Sequence, residues 1–387
     1  MNHNSKILVI GSGIAGPTVC YWLKKYGFNP TLIERSKQLR TGGYDIDIRG
    51  SAIDIVKKMG IYDSIRAKRT SLLSTRYVDA DGQTLSEEYD EKVHFSDSDD
   101  VELLRGDLVN ILLQAIPDVP CHFDTAIINL TQKDQFVEVA FKDGHSEQYD
   151  LVIAADGLHS STRRLTFSDK DYQFFNLGYY VSIFSIPNYL NLNRTKVMFT
   201  KDQKIISVDS DKDPNTAFVS FGIRSNKVLT DITDEREQKE CLKDWGYDLG
   251  WESKKILELM NASDDFYFDI MAQIKMDSWA KGRVTLLGDA AYCASPFSGM
   301  GINLALVGAY VLAGELKSAK GDYSIAFKRY NELMHPFVDA AQDLALWMGE
   351  CFLPEDEVSK EILEHRSSEI IEKIKVVTNT ISLPDYA

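Results

Sequence analysis

The chain has 387 residues, 44% hydrophobic and 26% charged, the composition of an ordinary globular protein with material for two domains. A formal net charge of −15 excludes the basic footprint that nucleic acid and anionic membrane surfaces require. The five cysteines (Cys20, Cys121, Cys241, Cys293, Cys351) are scattered and form no CxxC, which points to free thiols, and the seven histidines share no metal-ligand spacing.

Only five residues precede the first strand, so no signal peptide and a cytoplasmic location are expected. That strand, Lys6-Ile7-Leu8-Val9-Ile10, is apolar without alternation, as in a parallel strand buried on both faces. Gly11-Ser12-Gly13-Ile14-Ala15-Gly16 follows at the G-x-G-x-x-G spacing and opens a helix reaching residue 25. Gly11 suits the tight turn, Gly13 the approach of a pyrophosphate, and Gly16 close packing of helix on strand. The helix N-terminus then offers free N–H groups to phosphate. A second strand over 30–33 ends at Glu34, 18 residues past Gly16, where an acid meets a ribose hydroxyl. These features predict dinucleotide binding. NAD and FAD share the fingerprint at this point.

Residues 42–50, with Gly42, Gly43 and the alternating Ile46 and Ile48, predict a short edge strand. A helix over 51–59 should stop at Gly60, and a hairpin over 75–89 should turn at Asp81-Gly82. The acidic run 87–102 predicts a solvated loop or edge. A strand over 101–105 opens a helix to Ile116, putting Arg105 at a strand-to-helix corner on the ligand-facing edge of a doubly wound sheet. A small β meander is predicted over 121–149, with a turn at Asp143-Gly144, and another buried parallel strand over 150–155.

From 172 to 274 the βα alternation stops. Strands over 179–186, 196–200, 205–208 and 217–224 predict an inserted antiparallel sheet, followed by a helical stretch over 234–261. Parallel character returns at 282–287, closing on Gly288-Asp289, then Pro296-Phe297-Ser298-Gly299-Met300-Gly301 and a small-residue helix over 302–316. That helix carries Asn303 and Glu315 and is too short to span a bilayer. Two tail helices, 324–352 and 356–378, are predicted with Pro336 and Pro354 as breakers. The fold class is α/β: a discontinuous Rossmann-like domain (1–73, 97–171, 275–320), an inserted β-sheet domain (74–96, 172–274) and C-terminal helices (321–387). No heptad pattern is sustained, and a monomer is expected.

Three motifs in this order and spacing carry a resemblance. They are the glycine fingerprint ending at Glu34-Arg35, Asp156-Gly157-x-x-Ser160-x-x-Arg163, and Gly288-Asp289. Over residues 5 to 317 the chain resembles the class A FAD-dependent monooxygenases of the para-hydroxybenzoate hydroxylase fold. Around the flavin it is most similar to the tetracycline-inactivating members, on the stretches 42–48, 104–108, 221–223 and 288–303.

The resemblance implies an FAD site of Gly11, Gly13, Ile14, Ala15, Gly16, Glu34, Arg35, Asp47, Arg105, Asp156, Gly288, Asp289, Pro296, Gly299, Met300, Gly301, Ile302 and Asn303. Within it, Arg105 would serve the pyrophosphate or ribityl chain and Asp289 a ribityl hydroxyl, or else Asp289 caps the next helix. The N-terminus of the 302–316 helix would stabilise charge on the flavin. With no second Rossmann fingerprint, NADPH would visit the same crevice and reduce FAD. Oxygen would then be delivered from a flavin C4a-hydroperoxide to a phenolic or enolic carbon.

Substrate contacts would come from Ser182, Lys196, Ser220, Phe221 and Pro296. At Ser182, Lys196 and Ser220 the family's amide, guanidinium and imidazole are replaced. Tyr179, Phe184, Phe199, Phe218 and Phe221 divide between pocket lining and sheet core. Lys196 is the candidate base, with no catalytic residue assigned. Inactivation of tetracyclines by hydroxylation is the leading expectation. Hydroxylation of another polycyclic or phenolic compound and drug binding without turnover stay open, whereas a halogenase is disfavoured because no W-x-W-x-I-P is present.

Overall fold

The computed structural model describes residues 5–38, 44–70, 72–89, 99–210, 213–225, 234–353 and 360–386. Gly42, Gly43, residues 90–98 of the acidic run and Pro354 lie outside the described residues. The chain enters on β1 (Lys6–Ile10), passes through the glycines into α1 (Ala15–Lys25) and returns as β2 (Asn29–Ile33). β3 (Asp45–Ile48) leads to α2 (Ser51–Lys58), closed by Gly60 at φ +74° as a C-cap requires, and then α3 (Tyr62–Ala67). The hairpin β4 (Ser74–Val78) and β5 (Thr84–Tyr89) turns at Asp81-Gly82 as expected. β6 (Val101–Leu104) runs directly into α4 (Arg105–Gln114).

β7 (Cys121–His122) precedes the meander β8 (Ile127–Gln132), β9 (Val137–Phe141) and β10 (Ser146–Tyr149), and β11 (Leu151–Ala154) leads to α5 (Ser161–Thr166). Four long strands follow: β12 (Gln173–Pro187), β13 (Thr195–Lys201), β14 (Lys204–Ser210) and β15 (Thr216–Arg224). The stretch predicted helical over 234–261 is two helices, α6 (Glu235–Gly246) and α7 (Ser253–Leu259), before β16 (Tyr267–Lys275). The remaining elements are β17 (Ala280–Lys281), β18 (Val284–Leu286), α8 (Asp289–Tyr292), α9 (Gly301–Ser318), α10 (Tyr323–Phe352) and α11 (Lys360–Thr378).

Two large sheets result. The first has the order β17-β18-β11-β1-β2-β7, and all its pairs except β17–β18 are parallel. β1 sits inside it, its apolar run buried against α1 on one side and the meander on the other. The second has the order β16-β12-β15-β14-β13-β4-β5. It is antiparallel, as expected, except where β4 joins β13 in parallel. One face of this sheet carries Tyr180, Phe184, Val197, Phe199, Val219, Phe221 and Ile223 and is sealed by α6 and α7.

Two expectations fail for reasons of packing. β6 does not belong to the doubly wound sheet: it pairs antiparallel with β3 in a separate two-stranded ribbon, so Arg105 stands at the ribbon's corner. Pro336 does not break the tail but lies inside α10. A proline in a helix interior costs about 3 kcal/mol. Phe327, Tyr330, Met334, Phe337, Val338, Leu344 and Met348 are buried along the same helix, and each large apolar side chain returns about 1.5–3 kcal/mol. Packing therefore carries the helix through the proline. Among the described residues no helix is long and apolar enough to cross a membrane.

Candidate functional site

The site begins where β1 ends. Gly11 has φ +103°, and a Cβ there would stand 2.4 Å from the Ala155 carbonyl oxygen at the end of β11. A Cβ on Gly16 would stand 1.9 Å from the Gly11 carbonyl oxygen, so neither position admits a side chain. Gly13 differs: a Cβ there would meet only the Arg105 guanidinium, at 3.6 Å. The turn is thus an open cradle with a cation over it, and the buried Ile14 and Ala15 start α1 behind it.

Glu34, at the end of β2, accepts from Ser12 N at 2.9 Å, Ser12 Oγ at 3.1 Å and Ser36 N at 2.9 Å. Burial alone would raise its pKa, but these donors outweigh burial and hold the carboxyl below its ordinary value. Arg35 beside it is exposed.

The second motif folds upon itself. The Asp156 carboxylate accepts from Ser160 Oγ, from Thr162 N at 3.0 Å and from Thr162 Oγ1 at 2.9 Å. Ser160 caps α5 by accepting from Arg163 N at 2.9 Å. The side chain of Asp156 is therefore oriented by donors of its own loop and remains partly exposed. Arg163 donates to Ala290 O at 2.8 Å and Leu158 O at 2.7 Å, tying this loop to the third motif.

There Gly288, at φ +64°, precedes Asp289. Asp289 is the first residue of α8 and does not cap it. Its carboxylate is open to the cleft yet enclosed by protein; burial raises its pKa, with the Arg105 guanidinium opposing. Tyr44, Asp269 and Cys293 lie in the same electrostatic neighbourhood.

Pro296 and Gly299 are exposed, Met300 is buried, and Gly301 and Ile302 begin α9, which has no side-chain cap. Asn303 Oδ1 accepts from Arg49 N at 2.9 Å, and Arg49 pairs with Asp47 at 2.9 Å. The end of β3 is thereby fixed against the α9 N-terminus. An open glycine cradle, a guanidinium over it, a cleft-facing carboxylate and an uncapped 18-residue helix make up the donors and the acceptor that the pyrophosphate, ribityl chain and ring edge of FAD need.

Strand alternation sorts the predicted substrate residues. On β12, Ser182 shares the face of Tyr180 and Phe184; it is 1% exposed and donates to Tyr267 O at 2.9 Å. Phe221 on β15 is fully buried against α6 and α7 and stacks with Phe184. Both expectations are corrected: these residues belong to the core behind the sheet, as do Phe184 and Phe199. Lys196 and Ser220 alternate out of that core to the opposite face, with Tyr179 and Phe218. On that face Tyr179, Met271 and Leu353 pack with Phe297, so it meets the Pro296 loop.

Five residues at the cleft escaped the sequence reading. Lys196 Nζ lies 3.4 Å from Asp45 Oδ2. Tyr267 donates to Asp269 at 2.9 Å, His159 Nε2 is 2.8 Å from Asp269, and Tyr44 borders the group. The signal was alternation: Asp45-Ile46-Asp47-Ile48 and Tyr267-Phe268-Asp269 each turn polar side chains to one face.

The profile of the FAD binding domain family matches residues 4–345. A flavin-dependent monooxygenase of Legionella longbeachae serogroup 1 (strain NSW150) is 53% identical, over 100% of this chain and 99% of its own length. The crystal structure of tetracycline destructase Tet(55) superposes with a TM-score of 0.93 at 52% identity, covering 100% of both chains. That of tetracycline destructase Tet(51) gives 0.93 at 56%, covering 99% of this chain and 100% of its own.

Proposed function

This chain belongs to the FAD binding domain family and is an FAD-dependent monooxygenase, and from that premise we propose that it hydroxylates, and so inactivates, tetracycline antibiotics with NADPH as reductant. The observation that carries the reading is whole-chain likeness to two tetracycline destructases, which takes in the seven-stranded sheet and the tail helices as well as the nucleotide motifs. The same reading makes it a cytoplasmic monomer, with residues 74–96 and 172–274 serving the substrate and 1–73, 97–171 and 275–320 serving FAD.

Bound FAD, once reduced, supplies the activation of O2. The chain supplies binding, orientation and charge. Gly11 to Gly16 and the α1 N-terminus would hold the pyrophosphate, with Arg105 balancing its charge and Glu34 and Arg35 at the adenosine end. Asp289 would accept from the ribityl chain. Gly299, Met300, Gly301, Ile302 and the α9 N-terminus would lie along the ring edge, where the helix dipole favours negative charge. Asp47, through Arg49 and Asn303, would set the position of that helix start. Lys196, Ser220 and Pro296 would border the substrate.

The departures at Lys196 and Ser220 favour a second reading, a different polycyclic phenol. Purified holoprotein with NADPH, O2 and a tetracycline panel separates the two. A product about 16 mass units heavier, one oxygen atom, supports the first reading. NADPH oxidation yielding only peroxide with every tetracycline overturns it. Tight binding without NADPH consumption makes the protein a drug-binding flavoprotein instead.

A further inference from the structure

Resting on the reading that the cleft takes a hydroxylated polycyclic or phenolic substrate, we propose that Asp45 is the base that removes the substrate's enol or phenol proton. Lys196 is the positioning residue that holds the Asp45 carboxylate. The candidate read from sequence was Lys196 itself, and the geometry moves the role across the ion pair.

The placement follows from the ribbon. Ile46 and Ile48 go into the core, so Asp45 and Asp47 project from the opposite face of β3, where Lys196 reaches Asp45. On the neighbouring strand Leu103 is buried in the same core, which turns Glu102 outward as well. Across from this acidic face stands the large sheet, whose Lys196 reaches Asp45 at 3.4 Å. Asp47 is occupied by Arg49 at 2.9 Å, and Glu102 accepts from Thr70 Oγ1. Asp45 is held by the longer contact to Lys196, with both side chains partly open, at 16% and 25% exposure.

Charge separates the two partners. Burial would lower the Lys196 pKa, but Asp209 of β14, Asp45 and Glu102 of β6 outweigh it and push it up, so the ammonium persists at neutral pH and cannot accept a proton. Burial lifts Asp45 to about 6, with Glu102 and Asp47 adding to the rise and Lys196 opposing it. Tyr77 of β4 is also raised, by burial and then by Glu88 with Lys196 opposing, and stays a phenol. A carboxylate near 6 is ionised at neutral pH and close enough to an enol or phenol to exchange a proton with it.

In the step, the substrate O–H bond breaks and its proton forms a bond to a carboxylate oxygen of Asp45. The electron pair stays on the substrate oxygen and enriches the ring carbon to be oxygenated. Lys196 keeps the now neutral Asp45 in place, and Asp45 later returns its proton to solvent. No co-reactant is consumed.

The test uses oxidised holoenzyme without NADPH, so it reads ionisation independently of turnover. Tetracycline and 4-nitrophenol, two probes whose anions absorb differently from their neutral forms, are bound to wild type and Asp45→Asn and titrated with pH. Ionised Asp45 opposes a second negative charge beside it, so the proposal expects the bound probe to ionise at a pH higher in wild type than in Asp45→Asn by about one unit or more, with FAD content unchanged. Equal ionisation in the two proteins overturns it. If tetracycline does not bind but 4-nitrophenol shows the difference, the tetracycline reading falls and Asp45 keeps its role. In turnover, Asp45→Asn should lower kcat by about 10²–10⁴-fold, with KM little changed and the acidic limb of the pH profile removed. Lys196→Met should move that limb to higher pH and Lys196→Arg should restore it; a limb unmoved by Lys196→Met overturns the positioning role.

Discussion

Arg163 offers the sharpest test of how the site is held together. It is 2% exposed, and its guanidinium bridges Leu158 O (2.7 Å) and Ala290 O (2.8 Å) while lying over the Tyr172 ring at 4.9 Å. Arg163→Ala removes two charge-assisted hydrogen bonds, each worth about 1.5–3 kcal/mol, and leaves two carbonyls short of a donor. Against this, a buried charge no longer has to be desolvated, and burial does lower the Arg163 pKa. The balance predicts a loss of about 3–5 kcal/mol, a large share of the roughly 5–15 kcal/mol of a whole protein.

Because Ala290 adjoins Asp289, the loss should also appear as FAD released on gel filtration. Urea unfolding midpoints with and without added FAD, together with flavin absorbance per protein, read both effects. Arg163→Lys keeps the charge but can serve the two carbonyls less well, and should lose about half as much. An Arg163→Ala protein that keeps its full FAD content and lies within about 1 kcal/mol of wild type would refute the strap.

Two further outcomes follow from local geometry. Glu34 has a folded pKa below its unfolded value of about 4.3, so its stabilisation is full above that value and is lost as pH falls through the folded pKa. Glu34→Gln should therefore be less stable at pH 7 and show a flatter acid limb in unfolding midpoints, and parallel pH curves would contradict this. Phe221→Ala should cost about 3–5 kcal/mol with kcat per folded molecule unchanged, whereas Ser220→Leu should raise KM at little cost in stability. The reverse pattern in paired unfolding and turnover measurements would mean that the faces are misassigned.

What the sequence made legible was local. A glycine that must turn at φ +103° beneath the Ala155 carbonyl leaves its mark within a few residues, and so does an unbroken apolar strand such as β1. Hence the glycine cradle, Glu34 and the Gly288-Asp289 corner were all readable. Partners chosen across the chain were not. β6 pairs with β3 rather than with the doubly wound sheet, and no pattern within either strand states that choice. Nor does anything in the motif say that Ser160 and Thr162 will turn back onto the Asp156 carboxylate.

The sheet face turned away from α6 and α7 shows how little separates one assignment from its opposite. Ser220 and Phe221 are adjacent, and a strand turns successive side chains to opposite faces, so choosing one for the cleft commits the other to the core. The aromatic lost that choice: burying Phe221 against α6 and α7 removes a large apolar side chain from water, and Ser220 has far less to gain there. The same rule, applied to β3, buries Ile46 and Ile48 and leaves Asp45 facing Lys196. Hydrophobic burial on one side of the ribbon thus sets the carboxylate on the other. With the activation of O2 left to FAD, the role proposed for that carboxylate is to act on the substrate's proton.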